Sequence, residues 1–400
     1  MNTAGITAEY NPFHWGHEYM LRRLGRELGE DTAFVCVLSG NFVQRGDCAL
    51  FRKQARAEAA VRCGVDLVLE LPLPWATASA EGFAKGAVEL LGSTGVVTHL
   101  CFGSECGDVA ALRGVAEALK SPETDALIRR YSGEGVSYAS ARQRALEVTA
   151  GESAALVSRP NNILAVEYLR ALDAGGWGME PVTVRRRGAA HDGAGSGVFR
   201  SASELRERCA AGEDISPLMP EPAAEVFRAE ALALRGPVTL EALDTALVSR
   251  LRMLPPEVFD AVPDAAEGLG ARLYAAAREE PDLRSILSAA KTKRYAMSRL
   301  RRMLLCACLG VRASDRDGGV PYIRVLALSQ KGRGLLRRMR ESAALPVITK
   351  PAQVKSLGAR AQRIFALECA AADLYCLAFS SVRERRALSE WRVSPFVLRE

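Results

Sequence analysis

Gly5-Ile6-Thr7-Ala8-Glu9-Tyr10-Asn11-Pro12-Phe13-His14-Trp15-Gly16-His17-Glu18-Tyr19-Met20 is the stretch on which the fold turns. Its apolar run to Ala8 reads as a short strand, and Pro12, with no amide hydrogen to give a ladder, ends regular pairing. From His17 to about Leu28 the residues Tyr19, Met20, Leu21, Leu24 and Leu28 recur at helical spacing, and Ala33 to Leu38 is again a continuous apolar strand. Working outward, Arg52 to Cys63 predicts a helix closing at Gly64, Val65 to Leu71 a strand, Ala80 to Leu91 a helix, and Val96 to Phe102 a strand. Strands alternating with helices of this length predict an α/β fold with a doubly wound, Rossmann-like parallel sheet. The alternation weakens through helices near 108–119 and 161–173 and a strand from Pro181 to Arg186, and Gly188 to Ser196 reads as a mobile loop. Beyond about residue 203 helical periodicity dominates, over Ala223–Leu234, Leu240–Met253, Ala265–Glu280 and Arg294–Leu309, with one short strand pattern at Ile323–Leu328. The expected organisation is an α/β domain over 1–205 followed by a mainly helical domain over 206–400.

The turn between the first strand and first helix carries chemistry as well as topology. Of the four histidines in the 400 residues, His14 and His17 fall within it. A helix N-terminus offers unpaired amides and a positive dipole end to an anion, and imidazoles there can donate to phosphate oxygens. Gly16 would let a nucleotide approach the main chain. The plainer alternative is a capping turn whose histidines satisfy local backbone groups.

Composition bounds the rest. The hydrophobic fraction of 48% supports a large core, and no apolar stretch is long enough for a membrane span, so a cytoplasmic protein is expected. The ten cysteines include no C-x-x-C pair and predict reduced thiols rather than a metal site. The net charge of +6 is unevenly placed: residues 291–340 hold fourteen Lys and Arg against Asp315 and Asp317 alone. Such a segment is either the footprint of a polyanion or a solvated helix face.

His14-Trp15-Gly16-His17 after a first strand resembles the H-x-G-H signature of the HIGH nucleotidyltransferase superfamily. Ser39-Gly40-Asn41-Phe42-Val43-Gln44-Arg45-Gly46, Val65-Asp66-Leu67-Val68-Leu69-Glu70-Leu71-Pro72, Phe102-Gly103-Ser104-Glu105 and Pro160-Asn161-Asn162-Ile163-Leu164 follow in order, and together these stretches resemble the tRNA-Met cytidine acetate ligase family of bacteria. The resemblance implies an enzyme that joins acetate to AMP and passes the acetyl group to N4 of the wobble cytidine of elongator tRNA-Met. It implies ATP binding by the segment Thr7 to Met20 and by Gly103, Asn161 or Asn162, and Arg186, with Mg²⁺ arriving on the ATP. Trp15 departs from the small polar residue expected between the histidines. The same resemblance extends to Ser201-Ala202-Ser203-Glu204-Leu205-Arg206, similar to the superfamily's S-x-S/T-x-x-R element, with Ser201, Ser203 and Arg206 on the triphosphate. Two rival readings stay open: a small-molecule nucleotidyltransferase of the same fold, and a non-catalytic RNA-binding protein. Oligomeric state is left open.

Each carried residue has a physical reading of its own. Gly103 would lie at the carboxyl edge of the sheet, where open α/β sheets bind ligands, or be an ordinary turn glycine. One of Asn161 and Asn162 could cap a helix and the other read the nucleotide. Arg186 suits bidentate phosphate pairing, or is a solvated tip. Ser203 would begin a helix as a cap. Gln44, Arg45 and Lys53 follow the second strand and are candidates for a carboxylate or phosphate pocket. In the basic segment Lys291, Lys293, Arg294, Arg299, Arg301 and Arg302 flank an apolar stripe, with Tyr295 as a candidate to stack on a base.

Overall fold

The computed structural model describes residues 1–186, 199–266 and 268–399. The expected loop at Gly188–Ser196 lies outside the described residues. Strands β1 (Thr3–Ala8), β2 (Ala33–Ser39), β5 (Leu67–Leu71), β6 (His99–Ser104) and β7 (Glu180–Arg185) form the parallel sheet, and β3 (Phe42–Val43) and β4 (Asp47–Cys48) form a separate antiparallel hairpin. From the second half of the chain come β8 (Ile323–Leu328), β9 (Val347–Ile348) and β10 (Phe396–Val397). The main sheet runs β10-β8-β5-β2-β1-β6-β7, with β9 also on β8 and only β5–β8 antiparallel. The sheet thus draws strands from both sides of residue 205.

Alternation along β2 shows why the sheet is covered on both faces. Val35 and Val37 join a core cluster with Phe83, Ala84 and Leu91 of helix Ala80–Ser93. Cys36 and Leu38 join the opposite cluster with Leu21 and Leu24 of helix Trp15–Leu28 and with the alanines of helix Lys53–Arg62. Successive side chains of a strand point to opposite faces, so a continuous apolar run is what a sheet buried on both sides requires. The first of these clusters continues into Leu247, Leu251, Phe259, Leu273, Ile286, Leu300 and Leu304. The helical stretch from 244 to 309 is therefore packed on the sheet rather than held apart from it.

The chain leaves β1 for β2 and β5 on one side and returns to β6 and β7 on the other. The reversal lies between β1 and β6, and in open α/β sheets the crevice at the carboxyl ends of such a strand pair is the ligand site. The turn after Ala8 and the end of β6 at Ser104 meet there. No helix among the described residues is long and apolar enough to cross a membrane, and all ten cysteines are free.

Candidate active site

The turn at residues 9–14 is held from beneath by a buried cation. Arg56, on helix Lys53–Arg62, donates to the carbonyls of Glu9, Ser39 (3.0 Å), Gly40 and Phe51 (2.9 Å). Burial lowers its pKa only to about 10, so it stays charged at neutral pH. The Asn11 side chain accepts the Leu50 amide at 2.7 Å, and the Glu9 carboxylate accepts the Gln44 amide at 3.0 Å. Tyr10 sits at a φ of 42°, a left-handed conformation unfavourable for a residue with a Cβ. Its buried ring packs edge-on against Phe13 and His17, each at 4.8 Å between centroids, which holds that conformation.

Helix Trp15–Leu28 begins with an unusual reciprocal cap made of two imidazoles. His14 Nδ1 accepts the Gly16 amide at 3.0 Å, and His17 Nδ1 accepts the His14 amide at 3.2 Å. The rings lie 3.9 Å apart between centroids. Burial, with the Arg186 charge adding to it, pushes the His14 imidazole down to about 3. His17 is lowered by burial, by His14 and by Arg186. Both rings are therefore neutral near pH 7, and since Nδ1 accepts, the proton of each sits on Nε2. His14 Nε2 is buried without a hydrogen-bond partner among the described residues. Such an unused donor is costly unless something else accepts from it. The plain capping alternative accounts for the Nδ1 atoms, and it leaves Nε2 of His14 for the donation to an anion that the sequence suggests. Gly16 has a reason that sequence reading missed: a Cβ there would stand 2.8 Å from the His14 ring. Trp15 places its indole N–H 3.4 Å from the Pro217 carbonyl.

The facing wall comes from the end of β6. A Cβ on Gly103 would stand 3.2 Å from Arg186 Cγ, so the glycine makes room for that arginine in the first instance. The Arg186 amide donates to the Ser104 carbonyl at 2.9 Å; burial lowers the pKa of its guanidinium, Glu105 opposes this, and its charge bears on both histidines. The asparagines differ from expectation. Helix Pro160–Gly175 starts at Pro160 with Arg159 as N-cap, so neither asparagine caps it with its side chain. Instead the Glu105 carboxylate accepts the amides of Asn161 (3.2 Å) and Asn162 (2.8 Å) and the Asn161 side-chain amide (2.6 Å). The Asn162 oxygen accepts the amides of Glu105 and Cys106, and its side-chain NH₂ donates to Leu156 O. Asn162 is thus absorbed in joining the helix to the end of β6, and Glu105 is the residue sequence reading overlooked.

Residues 199–206 close the third side. Phe199 packs edge-on against Tyr19 at 5.9 Å. Ser201, not Ser203, caps helix Ala202–Ala210, accepting the Glu204 amide at 3.1 Å. Ser203 instead accepts from Arg206, whose other nitrogen donates to the Asn11 carbonyl at 2.9 Å. An arginine 195 residues along the chain is thereby fixed against the histidine turn.

Other expected ligand residues are placed differently. Arg45 is exposed at the hairpin and Gln44 is half-buried beside it. Lys53 is wholly buried among Glu70, Glu368 at 3.3 Å and Glu390 at 2.9 Å, with Arg324 completing the cluster through Glu70 at 2.8 Å. Its charge is consumed by protein carboxylates. Within the cluster burial and Glu70 push Glu368 up to about 8, while Lys53 and Arg324, against the effect of burial, hold Glu390 down to about 2. Tyr295 is buried and presents no open face for a base. Arg299 donates to the Asp264 carbonyl at 2.7 and 3.1 Å, and Arg302 pairs with the Asp264 carboxylate at 3.2 Å. Lys291 and Lys293 are exposed and Arg294 half-buried, outside the helix, which begins at Met297 rather than Arg294.

A family model described as HIGH Nucleotidyl Transferase matches residues 1–390. A tRNA(Met) cytidine acetate ligase of Syntrophomonas wolfei is 36% identical and covers 99% of each chain. One of Syntrophotalea carbinolica is 39% identical, over 89% of this chain and 86% of its own. A crystal structure of Thermotoga maritima TmcAL bound with alpha-thio ATP superposes with a TM-score of 0.93 at 33% identity, covering 100% of both chains. With the H-x-G-H turn at the switch point of its sheet and likeness along its whole length, this chain belongs to the HIGH nucleotidyl transferases and, among them, to the tRNA(Met) cytidine acetate ligase family of enzymes.

Proposed function

We propose that this enzyme activates acetate with ATP as acetyl-adenylate and transfers the acetyl group to N4 of the wobble cytidine of elongator tRNA-Met. The observation that carries the reading is the buried Nε2–H of His14, without a partner among the described residues, at the positive end of a helix. A phosphate oxygen is the acceptor that both the donor and the dipole favour. The ATP analogue in the Thermotoga structure and the words tRNA(Met), cytidine and acetate in the relatives' names support the nucleotide, the acceptor and the acid.

In this reading an acetate oxygen attacks the α-phosphorus in line, the bond to the bridging oxygen breaks, and pyrophosphate leaves with that electron pair. No protein nucleophile is needed. His14 and His17 donate from Nε2 to phosphate oxygens, fixed in place by their Nδ1 bonds, so charge developing at phosphorus meets donors that need no reorganisation. Arg186 and Arg206 supply guanidinium groups on two further sides of the turn. Mg²⁺ bound to the triphosphate would neutralise more of its charge. Among the described residues no group of three or more His, Cys, Asp or Glu gathers to hold a metal. The product is a mixed anhydride, and its carbonyl is electrophilic enough for the weakly nucleophilic N4 amine, which loses a proton as AMP departs.

The test is pyrophosphate exchange into ATP without tRNA, followed by labelled acetate, ATP and total tRNA with nucleoside analysis. Acetate-dependent exchange and labelled N4-acetylcytidine are expected. Exchange indifferent to acetate, or label on another nucleoside, would overturn the assignment.

A further inference from the structure

Helix Met297–Leu309 belongs to the second half of the chain, yet hairpin β3–β4 joins it to the histidine turn. On one side the hairpin is tied to the turn by the bond from the Gln44 amide to Glu9. At its tip Gly46, with a φ of 69°, lies against the helix backbone: a Cβ there would stand 2.5 Å from the Arg302 amide nitrogen and 2.6 Å from Arg301 Cβ. That position tolerates only glycine, and the contact sets the helix beside the nucleotide turn.

Three arginines occupy this part of the helix, and two are committed to Asp264 as described. Arg301 lies about 200° around the helix from Arg299 and so faces another way. Its Nε is buried without a hydrogen-bond partner, and its guanidinium closes no ion pair, among the described residues. The charges of Arg301 and Arg206 both bear on the half-buried Asp47 carboxylate, which neither of them bonds. Arg206 in turn holds the Asn11 carbonyl. Among the described residues an uncommitted guanidinium therefore stands on the hairpin side of the histidine turn, near Asp47 and Arg206.

We propose that Arg301 is a substrate-contacting residue that takes a phosphodiester oxygen of the RNA strand carrying the base to be acylated. The inference rests on the tRNA-acylating reading above. A phosphodiester suits the site because guanidinium pairs with phosphate in charge-assisted bonds. The nucleotide's own phosphates are already faced by the histidines, Arg186 and Arg206, whereas Arg301 arrives on a different element beyond Asp47.

The experiment compares wild type, Arg301→Ala and Arg301→Lys, using an unmodified tRNA-Met transcript. Filter binding of the transcript is measured across a salt series, and acetate-dependent exchange is measured without tRNA. Expected for Arg301→Ala are a tenfold or greater weakening of RNA binding and a log–log salt slope shallower by about one, with exchange unchanged. Arg301→Lys should recover the slope but only part of the affinity. If exchange falls in parallel with binding, the guanidinium serves the triphosphate or the scaffold and the proposal is overturned. Unchanged affinity and slope overturn it as well. Filter binding needs no catalysis, so wild-type exchange indifferent to acetate would strike the proposed reaction without obscuring what Arg301 does to RNA. Should Arg301→Ala melt earlier, the lysine variant decides between lost fold and lost contact.

Discussion

The turn at 9–17 and the basic stretch at 291–302 both drew notice in the sequence for their charge or hydrogen-bonding groups, and they behave oppositely in space. In the turn the motif's residues satisfy one another within three positions, each imidazole capping an amide and keeping its other nitrogen for use. In the basic stretch Arg299 and Arg302 find their partner far along the chain, Asp264 lying 35 residues from Arg299 and 38 from Arg302. A motif fixed by local geometry can be read from its spacing. A concentration of charge cannot, because what counts is the charge left after distant carboxylates and carbonyls have been served.

The sharpest break of this contrast comes from the turn. His17→Ala removes one donor and one capping acceptor. Acetate-dependent exchange should fall by at least about a hundredfold, the scale seen when a preorganised donor is lost, while the circular dichroism spectrum stays native. Full exchange in this variant would remove the histidine pair from the chemistry. Next in size is Lys53→Met. Deleting the cation leaves Glu70, Glu368 and Glu390 buried with Arg324 as the one cation still paired within the cluster among the described residues, and breaking a buried pair costs about 3–5 kcal/mol. The urea midpoint should drop markedly. A midpoint within error of wild type would mean that Lys53 is not structural and restore it as a ligand candidate.

Legibility followed the same divide. The strands of the parallel sheet and the helices between them were readable because two-sided burial writes continuous apolar runs and helical stripes, as at Ala33–Ser39 and Ala80–Ser93. Ile323–Leu328 was visible as a strand, but not its place: nothing in those six residues says that they pair antiparallel with β5. The H-x-G-H turn and residues 201–206 were both singled out in the sequence, although the bond that joins them, from Arg206 to the Asn11 carbonyl, could not be. Ser203 was misjudged as the cap because either serine has the right chemistry, and only the backbone at Ser201, extended at a ψ of 150°, selects one. Arg56 was missed because its partners are main-chain carbonyls, which carry no sequence signature, and Glu105 because the amides it accepts lie 56 and 57 residues along the chain.

A gentler probe of the turn is its pH dependence. The folded pKa of His14, about 3, lies below the ordinary 6.5, so the unfolded chain binds a proton that the native fold refuses. Its neutral-form contribution is complete above pH 6.5 and is lost progressively as pH falls toward 3. His14→Asn keeps a capping side chain but does not titrate. Over that window its stability should therefore decline less steeply than wild type, measured as urea midpoints at successive pH values. Parallel declines would show that the imidazole titrates freely in the fold, which a buried ring at a cationic site should not do.

The smallest effect is expected where the sequence looked most suggestive. Arg302→Gln removes an ion pair whose side chains are 12% and 23% exposed, and because the Asp264 carboxylate left behind keeps access to water the loss should be about 1 kcal/mol. Thermal stability should fall slightly and the salt slope of RNA binding should not move, because a guanidinium already bonded to Asp264 releases no counterion when RNA arrives. Lys293, exposed and outside the helix, serves as the reference for a solvated cation. If Arg302→Gln instead flattens the slope by about one while Lys293→Gln does not, the Asp264 pair opens on binding. The basic stretch would then differ from the histidine turn in kind, its guanidinium held by the protein only until a phosphate takes it, whereas each imidazole keeps its cap and offers a second nitrogen.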